Sequence, residues 1–392
     1  MKAGAFATYD RWHQPSALRE DGGQDMHGSL AGQPAGNIPD LRRVGLHPDF
    51  WYPLAVGKDL KKGKTLGVSF GGDPIVLVRT ESGVVFALED RCAHRQMPLS
   101  CGVVTGEVVK CCYHAWSFNA EGRCTIPYLP KDATARPRGV RPYACREAYG
   151  LIFVFTGDIA RADQVPFPDL PEVNAPTHKT MFFTREVACH YSFMHENLLD
   201  MNHQFLHRRW LKRVKPTLLE TRKDDSMVEV KYKFELTEGK PPLATKVMLG
   251  GDQDDPANEK FDIMTVTTRY PYQLLQLRRP EDKENALDLW SAYVPVDREQ
   301  RRHRTFGFLS IRKPEKFGFL LTAFWPVVRY FTESVFTEDR FAVEMEQKAW
   351  DAQGADWNQE VLPFVMDLRA LLIAQGVPLG HAGAKPVTQA AE

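Results

Sequence analysis

The sequence predicts an α+β protein in two parts: a small β-sandwich, then a larger domain in which helices flank an antiparallel sheet. Two observations carry that expectation. From Phe50 to about Gly157, short apolar runs are punctuated by glycine. Beyond a proline-rich stretch, strands of period two lie between helical segments.

Taken in order, the first forty residues, with Gly22-Gly23, Gly28, Gly32 and Gly36, read as a flexible polar tail, assigned to 1–44. Strands are expected at Thr65–Phe70, Pro74–Arg79, Val84–Leu88 and Leu151–Phe155, with turns at Gly71-Gly72 and Ser82-Gly83. These fill a first domain, 45–160. Pro166, Pro168, Pro171 and Pro176 read as a linker into a second domain, 161–372. That domain opens with a helical stretch around Tyr191–Trp210. Val228, Val230, Tyr232, Phe234 and Leu236 then alternate with Glu229, Lys231, Lys233 and Glu235, the signature of a half-buried strand. Further strands are expected at Asp262–Thr268, Leu287–Val294 and Thr305–Ile311. Thr237–Lys260, rich in Gly, Pro and Asp, reads as a mobile loop and a candidate lid. The most apolar window, Phe317–Phe331, is shorter than a bilayer requires and contains Pro326 and Arg329. It reads as a buried or pocket-lining helix, with a membrane-touching or lipid-collecting surface as the alternative. Helix resumes from about Thr332 to Gln353, and 373–392 reads as a C-terminal tail.

At 392 residues the chain is long enough for two cores. Lys plus Arg equals Asp plus Glu at 50 each, so no charge bias points to nucleic acid or an acidic membrane surface. Of seven cysteines, four crowd between 92 and 112, which fits a metal site better than a disulfide framework. Reduced thiols and an N-terminus without a signal pattern together predict a cytoplasmic protein.

Those cysteines define the first constellation. Cys92-Ala-His94 and Cys111-Cys112-Tyr113-His114 are two Cys–His pairs, able to hold a binuclear iron–sulfur centre with two histidines on one iron and two cysteines on the other. A tetrahedral zinc site is the alternative. Zinc loops usually pair like with like, whereas each loop here carries one cysteine and one histidine. Cys112 rivals Cys111, since it also precedes His114.

Glu196-Asn197-Leu-Leu-Asp200-Met-Asn-His203-Gln-Phe-Leu-His207 is the second constellation. On a helix, His203 and His207 share a face at i and i+4, and Asp200 lies on the same stripe. Two histidines and a carboxylate with open positions form the facial triad of non-haem Fe(II) oxygenases, although a histidine pair on a helix is more often structural.

The loop around Cys92-Ala-His94-Arg95-Gln-Met-Pro98, followed by Cys111-Cys-Tyr113-His114-Ala-Trp116, resembles the cluster loops of Rieske-type ring-hydroxylating oxygenases. Those usually read Cys-x-His-Arg-Gly and Cys-Pro-Tyr-His-Gly-Trp, so the chain departs at Gln96, Cys112 and Ala115. The family spacing selects Cys111. Respiratory-type Rieske proteins are less similar, because Tyr113 stands where they carry a second cysteine, and Cys101 is then a buried free thiol. The pattern Asn-x2-Asp-x2-His-x3-His is similar to the mononuclear-iron segment of the same family. By that resemblance His203 and His207 are iron ligands, and Asn197 is a polar group near the iron. Asp200 is then a bridging carboxylate between an iron-bound histidine and a Rieske histidine of a neighbouring subunit. His190 and His195 fall outside the pattern and are solvated or structural.

Phe336-Thr-Glu338-Asp339 resembles the family's late acidic segment, and Asp339 shares a helical stripe with Phe336, Val343, Glu346 and Trp350. Asp339 is the expected third ligand, with Glu338 and Glu346 as rivals. The resemblance implies a Rieske domain with a [2Fe-2S] cluster, followed by a catalytic domain with a mononuclear Fe(II). It implies a homotrimeric terminal oxygenase that hydroxylates, dihydroxylates or oxidatively demethylates an apolar aromatic or alicyclic substrate with O2. No dinucleotide fingerprint is present in the chain, so electrons come from a separate NAD(P)H-dependent flavin reductase, with or without a ferredoxin. An electron-transfer protein without oxygenase activity and a zinc-stabilised binding protein are the competing readings.

Overall fold

A computed structural model of the chain describes residues 40–130, 137–211, 213–238, 261–280, 282–314 and 318–379. Strand β1 (Val44–Gly45) precedes β2 (Trp51–Val56), β3 (Lys64–Phe70), β4 (Asp73–Arg79) and β5 (Val85–Glu89). Four short strands follow: β6 (Val103–Thr105), β7 (Val108–Lys110), β8 (Ser117–Phe118) and β9 (Cys124–Thr125). With β10 (Pro142–Ala148) and β11 (Leu151–Phe155), the longer strands form a six-stranded antiparallel sheet ordered β2-β11-β10-β5-β4-β3. The short ones make a separate four-stranded sheet. Val76, Val78, Phe86, Leu88, Leu99, Val109 and Phe118 are buried with Cys92 and Cys111 in a core of their own. The apolar runs of the sequence therefore become the floor beneath the cysteine loops.

The second layer is a seven-stranded antiparallel sheet. Its strands are β12 (His178–Val187), β13 (Arg213–Asp224), β14 (Met227–Glu238), β15 (Phe261–Arg269), β16 (Tyr272–Arg278), β17 (Leu287–Pro295) and β18 (His303–Arg312), ordered β12-β18-β17-β16-β15-β14-β13. Helices α1 (Tyr191–Leu199) and α2 (Arg208–Leu211) fall between β12 and β13. Helices α3 (Gly318–Ala323), α4 (Trp325–Gln353) and α5 (Pro363–Gln375) follow β18. Strand β19 (Val377–Pro378) closes the chain by pairing with β1. Helix α4 begins seven residues earlier than expected. Pro326 sits in its first turn, where its missing N–H costs nothing, and Gly354 stops the helix at φ 71°.

Several expectations change. The proline-rich connector is packed rather than free. Phe167 stacks edge-on against Trp51 and Phe153, and Leu170 is buried. Of the expected tail, residues 1–39 lie outside the described residues, and Leu41 onward is packed. The Arg42 guanidinium, 1% exposed, bonds Ser192 and the Glu196 carboxylate and lies 3.6 Å over the Phe193 ring. Glu196 also takes Arg369 at 3.1 Å, so α1 is pinned from both ends of the chain. At the other terminus, α5 and β19 occupy the first residues of the expected tail, and 380–392 lie outside the description. The candidate lid lies outside the described residues beyond Glu238. The described residues of the 317–331 window are mostly exposed, not buried; Leu321 and Val328 are buried, and Trp325 packs partly against the core.

The two sheets meet through backbone and side-chain hydrogen bonds. Gly71 N–H donates to Pro295 O at 2.9 Å, Ser69 Oγ to Val296 O at 2.8 Å, and His47 N–H to Tyr270 Oη at 2.8 Å. Tyr272 donates to Trp51 O.

Candidate functional site

The two cysteine loops fold into matching turns. Cys92 N–H donates to Met97 O and receives Gln96 N–H on its own carbonyl. Cys111 N–H donates to Trp116 O and receives Ala115 N–H in the same way. The turn forces Gln96 and Ala115 to φ 58° each, the left-handed region that favours glycine. The sequence therefore departs from glycine at the two positions where the backbone asks for it.

Each turn delivers one thiol inward and one imidazole outward. Cys92 and Cys111 are buried and adjacent, and burial followed by the neighbouring thiol raises the pKa of Cys92. The His94 and His114 rings lie 4.6 Å apart, with His94 stacked on Trp116 at 4.6 Å and 7°. His94 Nδ1 is buried without a hydrogen-bond partner, an orphaned nitrogen that a metal ion would satisfy. Among the described residues, no three of Cys92, His94, Cys111 and His114 gather within 4.8 Å. A single tetrahedral zinc would require all four donors about one point. Two sulfurs at one end and two imidazoles at the other fit a two-iron cluster instead. Cys112 is exposed and outside this arrangement. Cys101 is also exposed, not buried as expected, and all seven cysteines are free.

His203, His207 and Asp339 do gather within 4.8 Å. They do so without the single helix expected around Tyr191–Trp210. Helix α1 ends where Asp200 turns to φ −84° and ψ 91°, and a 3-10 turn over Met201–Phe205 follows. The Asp200 carboxylate caps that turn, accepting Asn202 N–H at 2.9 Å and Asn202 Nδ2 at 2.7 Å. His203 lies in the turn and His207 just beyond it, with rings 5.1 Å apart and perpendicular.

Each imidazole is oriented through its outer nitrogen. His203 Nδ1 donates to the backbone carbonyl of Asp200 at 2.7 Å, and His207 Nδ1 donates to Glu338 Oε2 at 2.9 Å. With Nδ1 donating to an oxygen in each case, Nε2 of the neutral ring keeps its lone pair. Those Nε2 atoms face Asp339 Oδ1, at 3.6 Å from His203 and 3.0 Å from His207. His207 Nε2 and Asp339 Oδ1 are buried without a hydrogen-bond partner. Burial opposes charge on His207, but Asp339 and then Glu338 outweigh it and raise its pKa. Three converging lone pairs with open sides suit an iron of the two-histidine, one-carboxylate type.

Sequence reasoning missed the part played by Glu338. It holds His207 from outside and does not join the converging donors, and Glu346 is likewise outside that set. Asn197 is half-buried in the last turn of α1. His190 and His195 are fully buried rather than solvated, His195 being pushed down to about 3 by burial.

Comparison with known proteins bears on both sites. Residues 50–137 match the family described as Rieske [2Fe-2S] domain, and residues 187–370 match the vanillate O-demethylase oxygenase C-terminal domain. A 4beta-methylsterol monooxygenase of Methylococcus capsulatus is 32% identical over 384 residues, covering 93% of this chain and 100% of the relative. The chain is a Rieske non-haem iron oxygenase. As such it carries a [2Fe-2S] cluster and a mononuclear iron, and the donor sets above fit both. Another Rieske oxygenase relative, the oxygenase component of dicamba O-demethylase from Stenotrophomonas maltophilia, is 35% identical over 161 residues, 40% of this chain and 47% of the relative. The fold also matches dicamba monooxygenase bound to dicamba, with a TM-score of 0.64 at 22% identity over 84% of this chain and 98% of that one. Pseudomonas putida NdmA with caffeine gives 0.61 at 20% identity, covering 83% and 88%.

Proposed function

We propose that this Rieske oxygenase holds its cluster on Cys92, His94, Cys111 and His114, and its catalytic iron on His203, His207 and Asp339. The observation that carries the reading is the convergence of two imidazole lone pairs and one carboxylate oxygen in a buried site. When bound, the cluster supplies electrons singly and the iron supplies O2 activation. The protein's own groups orient those donors: Asp200 O and Glu338 fix the histidine tautomers, and Asn197 supplies a polar group nearby. Asp200 retains a carboxylate oxygen beyond its capping role. It links the iron site to the cluster histidines of a neighbouring copy, in a head-to-tail ring of three. A separate NAD(P)H-dependent flavin reductase, directly or through a ferredoxin, delivers the electrons, and the enzyme works in the cytoplasm.

The substrate is a bulky apolar alicyclic compound of the methylsterol class, which undergoes hydroxylation at a methyl group or its oxidative removal. Support comes from the end-to-end match to a methylsterol monooxygenase, since the dicamba O-demethylase component matches less than half of this chain. The test is NADH-driven O2 uptake with a compatible reductase, offered methylsterols and aromatic methyl ethers side by side. Product from methylsterols supports the reading. Coupled turnover of methyl ethers alone overturns the substrate assignment while leaving the oxygenase intact.

A further inference from the structure

Helices α3 and α4 turn an apolar, aromatic surface outward. Phe319 is 68% exposed, Leu320 41%, Val327 39% and Tyr330 66%. Trp210 on α2 extends the surface, its ring 5.7 Å from Tyr330, and Phe205 beyond it is also exposed. Cations border this surface throughout. Lys179 Nζ lies 5.0 Å over Trp325, Arg209 5.5 Å over Trp210 and Arg208 4.6 Å over Phe205. Arg329 projects from α4 itself, and Lys313 lies beside Gly318 at the start of α3. Among the described residues none of these five cations pairs with a carboxylate. The one acid on α3 and the first turns of α4, Glu333, is taken by Arg185.

We propose that this face docks on an anionic lipid membrane. Aromatic and aliphatic side chains with a rim of Lys and Arg that no described carboxylate neutralises, although Lys313 Nζ donates to Pro176 O at 2.7 Å, form the pattern that settles into the headgroup boundary, apolar face down and cations on the lipid phosphates. No described helix is long and apolar enough to cross a membrane, so the association is peripheral. The cations, with no described carboxylate set among them, call for a partner that is uniformly anionic, as a phospholipid surface is. Tyr330 precedes Asp339 by nine residues on one helix, an axial rise of about 13.5 Å, with the two on opposite sides of it. The docked face therefore lies near the iron site, where it would collect a lipid-dissolved substrate; that last clause rests on the substrate reading above, and the docking does not.

The experiment uses the full-length holoenzyme and substrate-free vesicles of phosphatidylcholine, with and without phosphatidylglycerol. Co-sedimentation is expected with the anionic vesicles, weakening as salt rises, and little with phosphatidylcholine alone. The pairs K313E/R329E and L320S/Y330S should each lose at least about tenfold in vesicle affinity, with iron content unchanged. Oxidative footprinting of the wild-type protein should show Tyr330 protected by anionic vesicles, a readout independent of how the variants fold. Absence of binding, unaltered binding by both variants, or an unprotected Tyr330 overturns the proposal. So does a change of oligomeric size in the variants, which would assign the face to contact between copies of the chain.

Discussion

Replacing Glu338 separates its role from that of its neighbour Asp339. In E338A, His207 keeps its Nδ1 proton but loses the acceptor at 2.9 Å, in a side chain only 2% exposed. A buried donor left unpaired costs about 1–3 kcal/mol. If that cost falls on the metal-bound form, affinity for iron drops about fivefold to about 150-fold, a range that includes typical losses for groups behind a ligand. E338Q retains an acceptor oxygen without the charge and should lose only about fivefold. D339A removes one of the three converging donors and should bind worse than either. Anaerobic titration of iron-depleted protein with Fe(II) or Co(II) measures this directly, with cluster absorbance as the internal control. The reasoning fails if E338A binds within twofold of wild type. It fails in a more informative way if E338A abolishes binding while D339A retains it, because the two carboxylates would then have exchanged roles.

Asp200 caps the 3-10 turn and, in the reading proposed above, bridges to a neighbouring copy, two roles that asparagine can divide. D200N keeps an N-cap of comparable strength, whereas D200A should cost about 1 kcal/mol of stability; both should retain metals yet lose coupled turnover, and near-wild-type O2 uptake by D200N would refute the bridging role. Gln96 and Ala115 are exposed and sit at φ 58°, so Q96G and A115G should each stabilise by about 1 kcal/mol, read as a rise in Tm. A fall in Tm would show that those side chains contribute contacts of their own. His303 and His195 are held at about 4 and about 3 by burial, below their unfolded value of about 6.5. As pH falls below about 6.5 the unfolded chain takes up protons that the folded chain refuses. Stability should therefore drop by up to about 1.4 kcal/mol per pH unit for each, starting in that window. Urea midpoints between neutral and mildly acidic pH measure the slope, and H303Q should flatten it; a pH-independent midpoint counts against the assignment.

What the sequence made legible follows from how local each feature is. The cluster loops were readable because each presents its two donors within a few consecutive residues, and the turn that aims them is equally local. Strand β14 was readable because one of its faces is buried, which imposes strict alternation. Strand β13 was not: Lys215, Glu220 and Arg222 put charge throughout an edge strand, and Pro216 interrupts its pattern. The three expected donors do come together in the fold, but not on the single helix that the spacing suggested. No periodicity reveals that Asp200 leaves the helix to cap the next turn. The grip of Glu338 on His207 spans 131 residues and exists only once α4 packs beside the 3-10 turn. The exposed face of α3 and α4 looked like core because composition reports apolarity without direction.

The pairing of β1 with β19, Val44 opposite Pro378 and Gly45 opposite Val377, bears on how electrons travel. The chain enters the catalytic body at Leu41, leaves it to build the cluster sheets, and returns at β12. The cluster domain is thus tethered at both of its ends, and hydrogen bonds such as Gly71 to Pro295 hold its edge against the second sheet. A domain hung on one linker can sample a cone of orientations, but one held twice and stitched along its flank cannot swing. Any electron partner must therefore meet the cluster loops in one fixed position relative to the second sheet.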